Sequence, residues 1–324
     1  MNPKFWKDKK VLITGFEGFL GSHLTRSLLP YALKITGLDI KVRRRETLLN
    51  EYDYPKINVI EGSVADYGLL KDTIKRGKFD VIFHLAAEAL VGKCYQDPLR
   101  TFSTNIKGAW NIAETVRHSG AVAAMVVASS DKAYGSHKKL PYTEKTSLEG
   151  NNPYDVSKSC ADLISRAYAH SYGLPVAITR CGNIYGPGDF NFSRLVPDAM
   201  CSAVYGKKLL IRSDGKFTRD YIYVDDIVEG YVLLAENLKK KGLGGEAFNF
   251  SDENPLTVLE LLKEIYKASG VNQDYKVLNR AKCEIRHQYL DSAKARRILR
   301  WRPKTELRQG LKMTFEWYRN FLKG

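Results

Sequence analysis

The sequence predicts an α/β chain, a doubly wound parallel sheet followed by a smaller, mostly helical C-terminal unit, on three observations. Short β-rich apolar runs alternate with amphipathic stretches through the first half, the pattern of parallel strands joined by crossover helices. The first of these runs ends in glycines three residues apart, at 15, 18 and 21, just before a helical stretch. Beyond Arg180 the rhythm breaks into a glycine- and proline-rich segment and then resumes with helical periodicity. With 44% apolar and 27% charged residues the composition is globular, and 324 residues suffice for about two domains.

Strands are expected at residues 10–14, 33–38, 58–61, 81–85, 123–129 and 176–180. Their near-continuous hydrophobicity predicts burial on both faces. Helices fill most of the intervals. Gly182, Gly186, Pro187 and Gly188 then form a loop, followed by short helices and strands up to Tyr223. Residues 225–238 read as a helix and 247–250 as a strand able to rejoin the first sheet, so the domain boundary interleaves. Residues 1–182 with 221–252 are expected to form the first domain, and 183–220 with 253–324 the second. From Asn254 onward the chain reads as mostly helical, with apolar residues at three- and four-residue spacing in 257–268 and 308–321.

Lys and Arg number 51 against 36 Asp and Glu, a net charge of +15. The basic residues fall in short separate clusters, at 43–45, 138–139, 239–241 and 296–302, without a basic tail or interleaved aromatics. A solvated surface is expected, and a nucleic-acid partner is not. The apolar runs, such as 122–128, are shorter than the roughly 18 residues of a membrane span, and residues 1–10 do not read as a signal peptide. Cys94, Cys160, Cys181, Cys201 and Cys283 are odd in number and form no C-x-x-C, which points away from disulfides and zinc and toward a cytoplasmic location.

Glycines at 15, 18 and 21 allow a sharp turn, close approach of backbone to a pyrophosphate, and tight packing of helix on strand. A helix beginning near Ser22 would face the anion with its N-terminus. A phosphate-binding turn of a Rossmann-type sheet is the expected reading, with a plain tight strand-to-helix turn as the alternative. The second strand ends at Asp39, 18 positions past Gly21, where a carboxylate accepts hydrogen bonds from an adenosine ribose and repels a 2′-phosphate. NAD is therefore the expected cofactor. Arg43, Arg44 and Arg45 keep NADP as the lesser alternative, because guanidinium groups bind phosphate; they read as surface charges or pyrophosphate-side contacts.

Tyr154 and Lys158 stand one helical turn apart, beyond a strand whose end carries Ser129, Ser130, Asp131 and Lys132. A tyrosine acting as a base near neutral pH must ionise roughly three pH units below its ordinary value of about 10, worth about 4 kcal/mol. Lys158 and an oxidised nicotinamide are the expected sources.

The residues T-G-F-E-G-F-L-G at 14–21, H-L-A-A-E at 84–88, S-S-D-K-A-Y-G at 129–135, Y-D-V-S-K at 154–158 and R-C-G-N-I-Y-G-P-G at 180–188 resemble the extended short-chain dehydrogenase/reductase family, the NAD-dependent epimerases and dehydratases. The likeness runs nearly the whole chain. Sugar-nucleotide 4,6-dehydratases usually carry T-D-E where this chain has Ser130, Asp131 and Lys132. The D-K pair, with Phe5-Trp6, R-L-V-P-D at 194–198 and L-D-S-A-K-A at 290–295, is similar to the CDP-glucose 4,6-dehydratase branch.

The resemblance implies an NAD-dependent hydro-lyase acting on an NDP-hexose, CDP-glucose going to CDP-4-keto-6-deoxyglucose. An NDP-sugar epimerase acting at C4 or C2 is the alternative, and a non-catalytic NAD-binding regulatory protein the second. It implies catalytic roles for Ser130, Asp131, Lys132, Tyr154 and Lys158. Gly15, Gly18, Phe19, Leu20, Gly21, Asp39, Ser63, Val64, Leu85, Ala86 and Ala87 would hold NAD together with Tyr154 and Lys158. Glu88, Asn183, Arg194, Arg219 and Arg286 would hold the sugar nucleotide in a C-terminal substrate domain. A homodimer packed through two helices per subunit follows, with no metal, nucleic acid or membrane. Two positions depart from the family pattern: serine replaces threonine at 130, and Ser63 stands where an aspartate usually contacts adenine. His84 reads as a packed strand-end residue, and Cys160 and Cys181 as inert core residues.

Overall fold

The computed structural model describes residues 1–280 and 285–324; Cys283 lies outside the described residues, and the other four cysteines are free thiols. In chain order the main elements are β1 (Lys10–Thr14), α1 (Phe19–Leu28), β2 (Lys34–Asp39), β3 (Ile57–Glu61), α2 (Tyr67–Gly77), β4 (Val81–His84), α3 (Gly108–Ser119), β5 (Ala124–Ala128), α4 (Pro153–Tyr172) and β6 (Val176–Cys181). There follow β7 (Asn183–Tyr185), α5 (Leu195–Tyr205), β8 (Leu209–Ile211), β9 (Thr218–Tyr223), α6 (Val224–Asn237) and β10 (Ala247–Phe250). The last are β11 (Pro255–Thr257), α7 (Val258–Ser269), β12 (Tyr275–Val277), β13 (His287–Gln288) and α8 (Leu307–Lys323).

Seven strands form one parallel sheet in the order β10-β6-β5-β4-β1-β2-β3. The apolar runs account for it. Val11, Leu12 and Ile13 of β1 are completely buried, as are Ile82 and Phe83 of β4, because helices cover both faces. β10 rejoins the sheet beside β6, as its sequence predicts. The expectation of two-faced burial fails for β3, where Asn58 and Glu61 are exposed: it is the edge strand and has a neighbour on one side only. The strand order reverses between β1 and β4, so the carboxyl ends of these strands open a crevice.

The second unit is less helical than expected. Between Gly182 and Gly186, read as loop, lies β7, and beyond Asn254 stand β11, β12 and β13. β9 pairs with β7, β11 and β13, and it runs unbroken through residue 220. Strands of two or three residues are too short to show a period, and pairing across the chain creates them. On this small sheet α5, α7 and α8 pack Met200, Leu261, Ile265, Leu311 and Tyr318 around Tyr185, Tyr221 and Tyr223. Thr257 and Glu260 start α7 with reciprocal side-chain caps. Among the described residues no helix is long and apolar enough to cross a membrane.

Candidate active site

The crevice is lined first by the glycine turn between β1 and α1, which begins at Phe19 rather than near Ser22. Gly15 has φ +73°, and a Cβ there would stand 2.8 Å from Ala86 N; a Cβ on Gly21 would stand 2.0 Å from Gly15 O. Neither position admits a side chain. A Cβ on Gly18 would meet only Gly15 O, at 3.2 Å, so this part of the turn is open to a ligand. Among the described residues no side chain caps α1 at Gly18, which leaves the first N–H groups of the helix, from Phe19, Leu20 and Gly21, to an anion. Such a cradle fits a dinucleotide pyrophosphate.

Asp39, at the end of β2, accepts the N–H of Ile40 at 2.9 Å and of Glu17 at 3.2 Å. Burial pushes its carboxyl up, with the charge of Arg44 opposing. Arg44 is therefore not the surface or pyrophosphate-side charge expected from sequence: its Nη2 lies 3.4 Å from Asp39 Oδ2. On the other flank, Leu85 donates its N–H to Thr14 O at 3.1 Å and Ala86 to Thr14 Oγ1 at 3.3 Å, which brings 85–87 beside the turn. His84 and Thr14 Oγ1 are hydrogen-bonded at 2.8 Å, and burial, reinforced by Lys158, pushes the imidazole down to about 3. It is a neutral packing residue. Ser63 Oγ accepts the N–H of Ala65 at 3.1 Å, and Val64 is buried against Gly108.

β5 delivers Ser130 to the same crevice, and a 3₁₀ turn, Asp131–Tyr134, follows it. Helix α4 presents Tyr154 and Lys158 and is tied to that turn by Ser159 Oγ, which donates to Ala133 O at 2.8 Å. Ser130 is hydrogen-bonded to the Tyr154 hydroxyl, donates to Asp131 Oδ1 at 2.9 Å and accepts the N–H of Lys132 at 3.2 Å. Lys158 Nζ donates to Ala128 O at 2.9 Å and lies 6.0 Å from the centroid of the Tyr154 ring. Burial pushes Lys158 down to about 8. Burial also pushes the Tyr154 hydroxyl up, above its ordinary value, against the Ser130 bond. Lys158 by itself does not supply the lowering expected of it together with an oxidised nicotinamide: in the protein alone burial outweighs it, and its ammonium donates to Ala128 O.

Three buried carboxylates, of Asp131, Asp155 and Asp220, each keep one oxygen without a hydrogen-bond partner among the described residues. Burial, then the charge of Asp131, pushes Asp220 up to about 7. Burial raises Asp155 as well, while Lys132 opposes the rise. Gln288, completely buried on β13, spans the pair that matters most: Lys132 Nζ donates to its Oε1 at 2.9 Å, and its Nε2 donates to Asp131 O at 2.8 Å. Asn105 is a second residue that sequence reasoning missed. From a π-helical turn, Ser103–Lys107, it donates to Ser157 Oγ at 2.8 Å and to Glu88 O at 3.0 Å. Ser157 in turn donates to Tyr154 O at 2.7 Å. Its signal is a polar residue on a buried helix face, and π-turns recur at functional sites.

The expected substrate residues are more scattered. Glu88 faces Arg100 at 3.6 Å, and Asn183 Nδ2 donates to Asp220 O at 3.4 Å. Arg194 is engaged by Asp189 at 2.6 Å and by Ile184 O at 2.6 Å, so its charge is already compensated. Buried Arg219 donates to Thr218 O at 2.8 Å, to Arg286 O at 3.0 Å and to Ile285 O. Among the described residues no carboxylate pairs with it. Arg286 is exposed and lines a cleft with His137, Asn152, Asp155 and His287.

A sequence model of the GDP-mannose 4,6 dehydratase family matches residues 12–314. CDP-glucose 4,6-dehydratase of Salmonella typhimurium is 28% identical, over 100% of this chain and 94% of its own length. Among solved structures, UDP-glucose 4-epimerase from Thermotoga maritima, crystallised with UDP-glucose, superposes with a TM-score of 0.88 at 29% identity, covering 97% of this chain and 99% of its own. A dTDP-glucose 4,6-dehydratase from Streptomyces venezuelae with NAD and TYD bound superposes with a TM-score of 0.86 at 30% identity, covering 96% and 97%.

Proposed function

The chain belongs to the GDP-mannose 4,6 dehydratase family of extended short-chain dehydrogenases/reductases, and on that footing we propose that it is an NAD-dependent NDP-hexose 4,6-dehydratase with CDP-glucose as its substrate. The observation that carries the dehydratase reading is the Asp131–Lys132 pair, bracketed by Gln288 and joined through Ser130 to Tyr154. Epimerisation needs Ser130, Tyr154 and Lys158 but no acid for C6. Cytosine rests on the likeness to the Salmonella enzyme and on the D-K pair. The division into a dinucleotide domain, 1–182 with 221–252, and a sugar-nucleotide domain, 183–220 with 253–324, is part of the same proposal.

In this reading the glycine cradle, Asp39, the 85–87 segment and Lys158 hold NAD. What the bound cofactor supplies is a reversible hydride acceptor and, when oxidised, a positive charge beside Tyr154. Tyr154 takes the C4 hydroxyl proton as C4 is oxidised, with Ser130 orienting the oxygen. The new ketone acidifies C5–H, and Lys132, in its neutral form, removes that proton. Asp131, as the general acid, gives a proton to the C6 oxygen, which leaves as water. C6 gains hydride and C5 regains a proton, so the net change is loss of one water. In heavy water the product from CDP-glucose is expected one water lighter with deuterium at C5; an unchanged sugar mass with CDP-, UDP-, GDP- and dTDP-hexoses would overturn the dehydratase reading.

A diphosphate is best held by a cation with no carboxylate partner, and Arg219, with which none among the described residues pairs, meets that need better than Arg194, paired with Asp189. Arg219→Ala is expected to raise KM for the sugar nucleotide about tenfold, the loss of a charge-assisted bond worth roughly 1.5–3 kcal/mol. NAD content should hold. A fall in NAD retention at constant KM would move Arg219 to the scaffold. The homodimer expected from the resemblance is proposed through α3 and α4, where Trp110 and Leu163 are about half exposed, and sedimentation velocity reads the mass that tests it.

A further inference from the structure

We propose that Glu17, inside the glycine turn, sets the cofactor preference by facing, together with Asp39, the Arg44 guanidinium that would otherwise be available to a 2′-phosphate. The inference rests on the NAD reading above. Glu17 is completely buried, an unusual place for a carboxylate. It accepts the backbone N–H of Arg43 at 2.5 Å, that of Arg44 at 2.9 Å, and the Tyr54 hydroxyl at 2.9 Å. Arg43 sits in the left-handed region, φ +57°, and its guanidinium lies 4.9 Å from the centroid of the Tyr54 ring. The segment after β2 is thereby folded around one carboxylate. Arg44 Nε lies 3.6 Å from Glu17 Oε2, and Arg44 Nη2 lies 3.4 Å from Asp39 Oδ2.

The electrostatic consequence is direct. A guanidinium next to the adenosine ribose is what an NADP site uses, since it bonds phosphate in bidentate fashion. Here two buried carboxylates, Glu17 and Asp39, face the Arg44 guanidinium, which weakens its attraction for a further phosphate. Asp39 alone would be balanced by Arg44. Glu17 supplies the excess, and it also fixes the backbone that carries Arg44. It is a positioning and specificity residue that does not touch the reacting atoms.

The test is the ratio of NADP⁺ to NAD⁺ dissociation constants for the purified full chain, measured by calorimetry without sugar nucleotide. Glu17→Gln keeps an acceptor oxygen for the N–H groups but removes the charge. The ratio is expected to fall about tenfold in favour of NADP⁺, and adding Arg44→Ala to that variant should reverse the fall. A folded Glu17→Gln protein, checked by circular dichroism, with an unchanged ratio overturns the inference. Should Glu17→Gln not fold, Arg44→Ala alone is expected to raise the ratio severalfold, and an unchanged ratio there overturns it equally. If the wild-type chain binds neither nucleotide, the NAD reading falls and this inference with it. A changed ratio in a protein that fails to dehydrate sugars supports the inference while removing the dehydratase.

Discussion

Replacing Asp131 with asparagine is expected to slow formation of the 4-keto-6-deoxy sugar by about 10²- to 10⁴-fold, the span general acids supply, while oxidation at C4 survives. The substitution is nearly isosteric. The amide would keep an oxygen for the Ser130 hydroxyl, which lies 2.9 Å from Asp131 Oδ1, and the Gln288 bond falls on the backbone carbonyl, which is unchanged. What disappears is a carboxyl oxygen able to carry a proton, Asp131 Oδ2, which has no hydrogen-bond partner among the described residues. In a single turnover, reduced cofactor should build up in the near-ultraviolet absorbance while mass spectrometry finds no loss of water. Water loss at the wild-type rate would remove Asp131 from the mechanism, and unimpaired inversion of the sugar would favour the epimerase reading.

How much of this is legible in the residues depends on where each signal is stored. β1, with Val11, Leu12 and Ile13 all buried, carries its period and its burial locally, and its predicted bounds match those observed. The same holds for the glycine turn, because a steric requirement at Gly15 and Gly21 leaves no choice of residue. Gln288 is the opposite case. It lies on a two-residue strand that exists only because β9 lies beside it, and its role depends on Lys132, 156 positions away. No local pattern marks such a residue. Glu17 falls within the family motif but has no role of its own in the sequence, since its partners Arg43, Arg44 and Tyr54 arrive from a loop beyond β2. The state of Tyr154 is hidden for a related reason: spacing places Lys158 one turn away, but the packing of α4 on β5 turns its ammonium to Ala128 O.

Arg180→Ala is expected to destabilise the protein by about 3–5 kcal/mol, the cost of stranding a buried partner charge. Arg180 and Asp162 are both essentially inaccessible to solvent, with Nε to Oδ2 at 2.7 Å and Nη2 to Oδ1 at 2.9 Å. Arg180 Nη1 donates to the Tyr134 hydroxyl at 2.9 Å, and that hydroxyl donates to Asn249 Oδ1 at 2.6 Å. One guanidinium therefore joins β6, α4, β10 and the last residue of the turn that begins with Asp131. Denaturant unfolding should register the loss as a lower midpoint at similar slope. Removing both charges, as in Arg180→Met with Asp162→Leu, is expected to recover more than half of it, because an uncompensated carboxylate costs more than an absent pair. A single-variant loss below about 1 kcal/mol would mean that water reaches Asp162 when the arginine is gone. With the double variant stable, its dehydration rate reads the other contribution of the network: a fall without loss of stability would show that Arg180 holds the Asp131–Tyr134 turn in register as well as holding the core together.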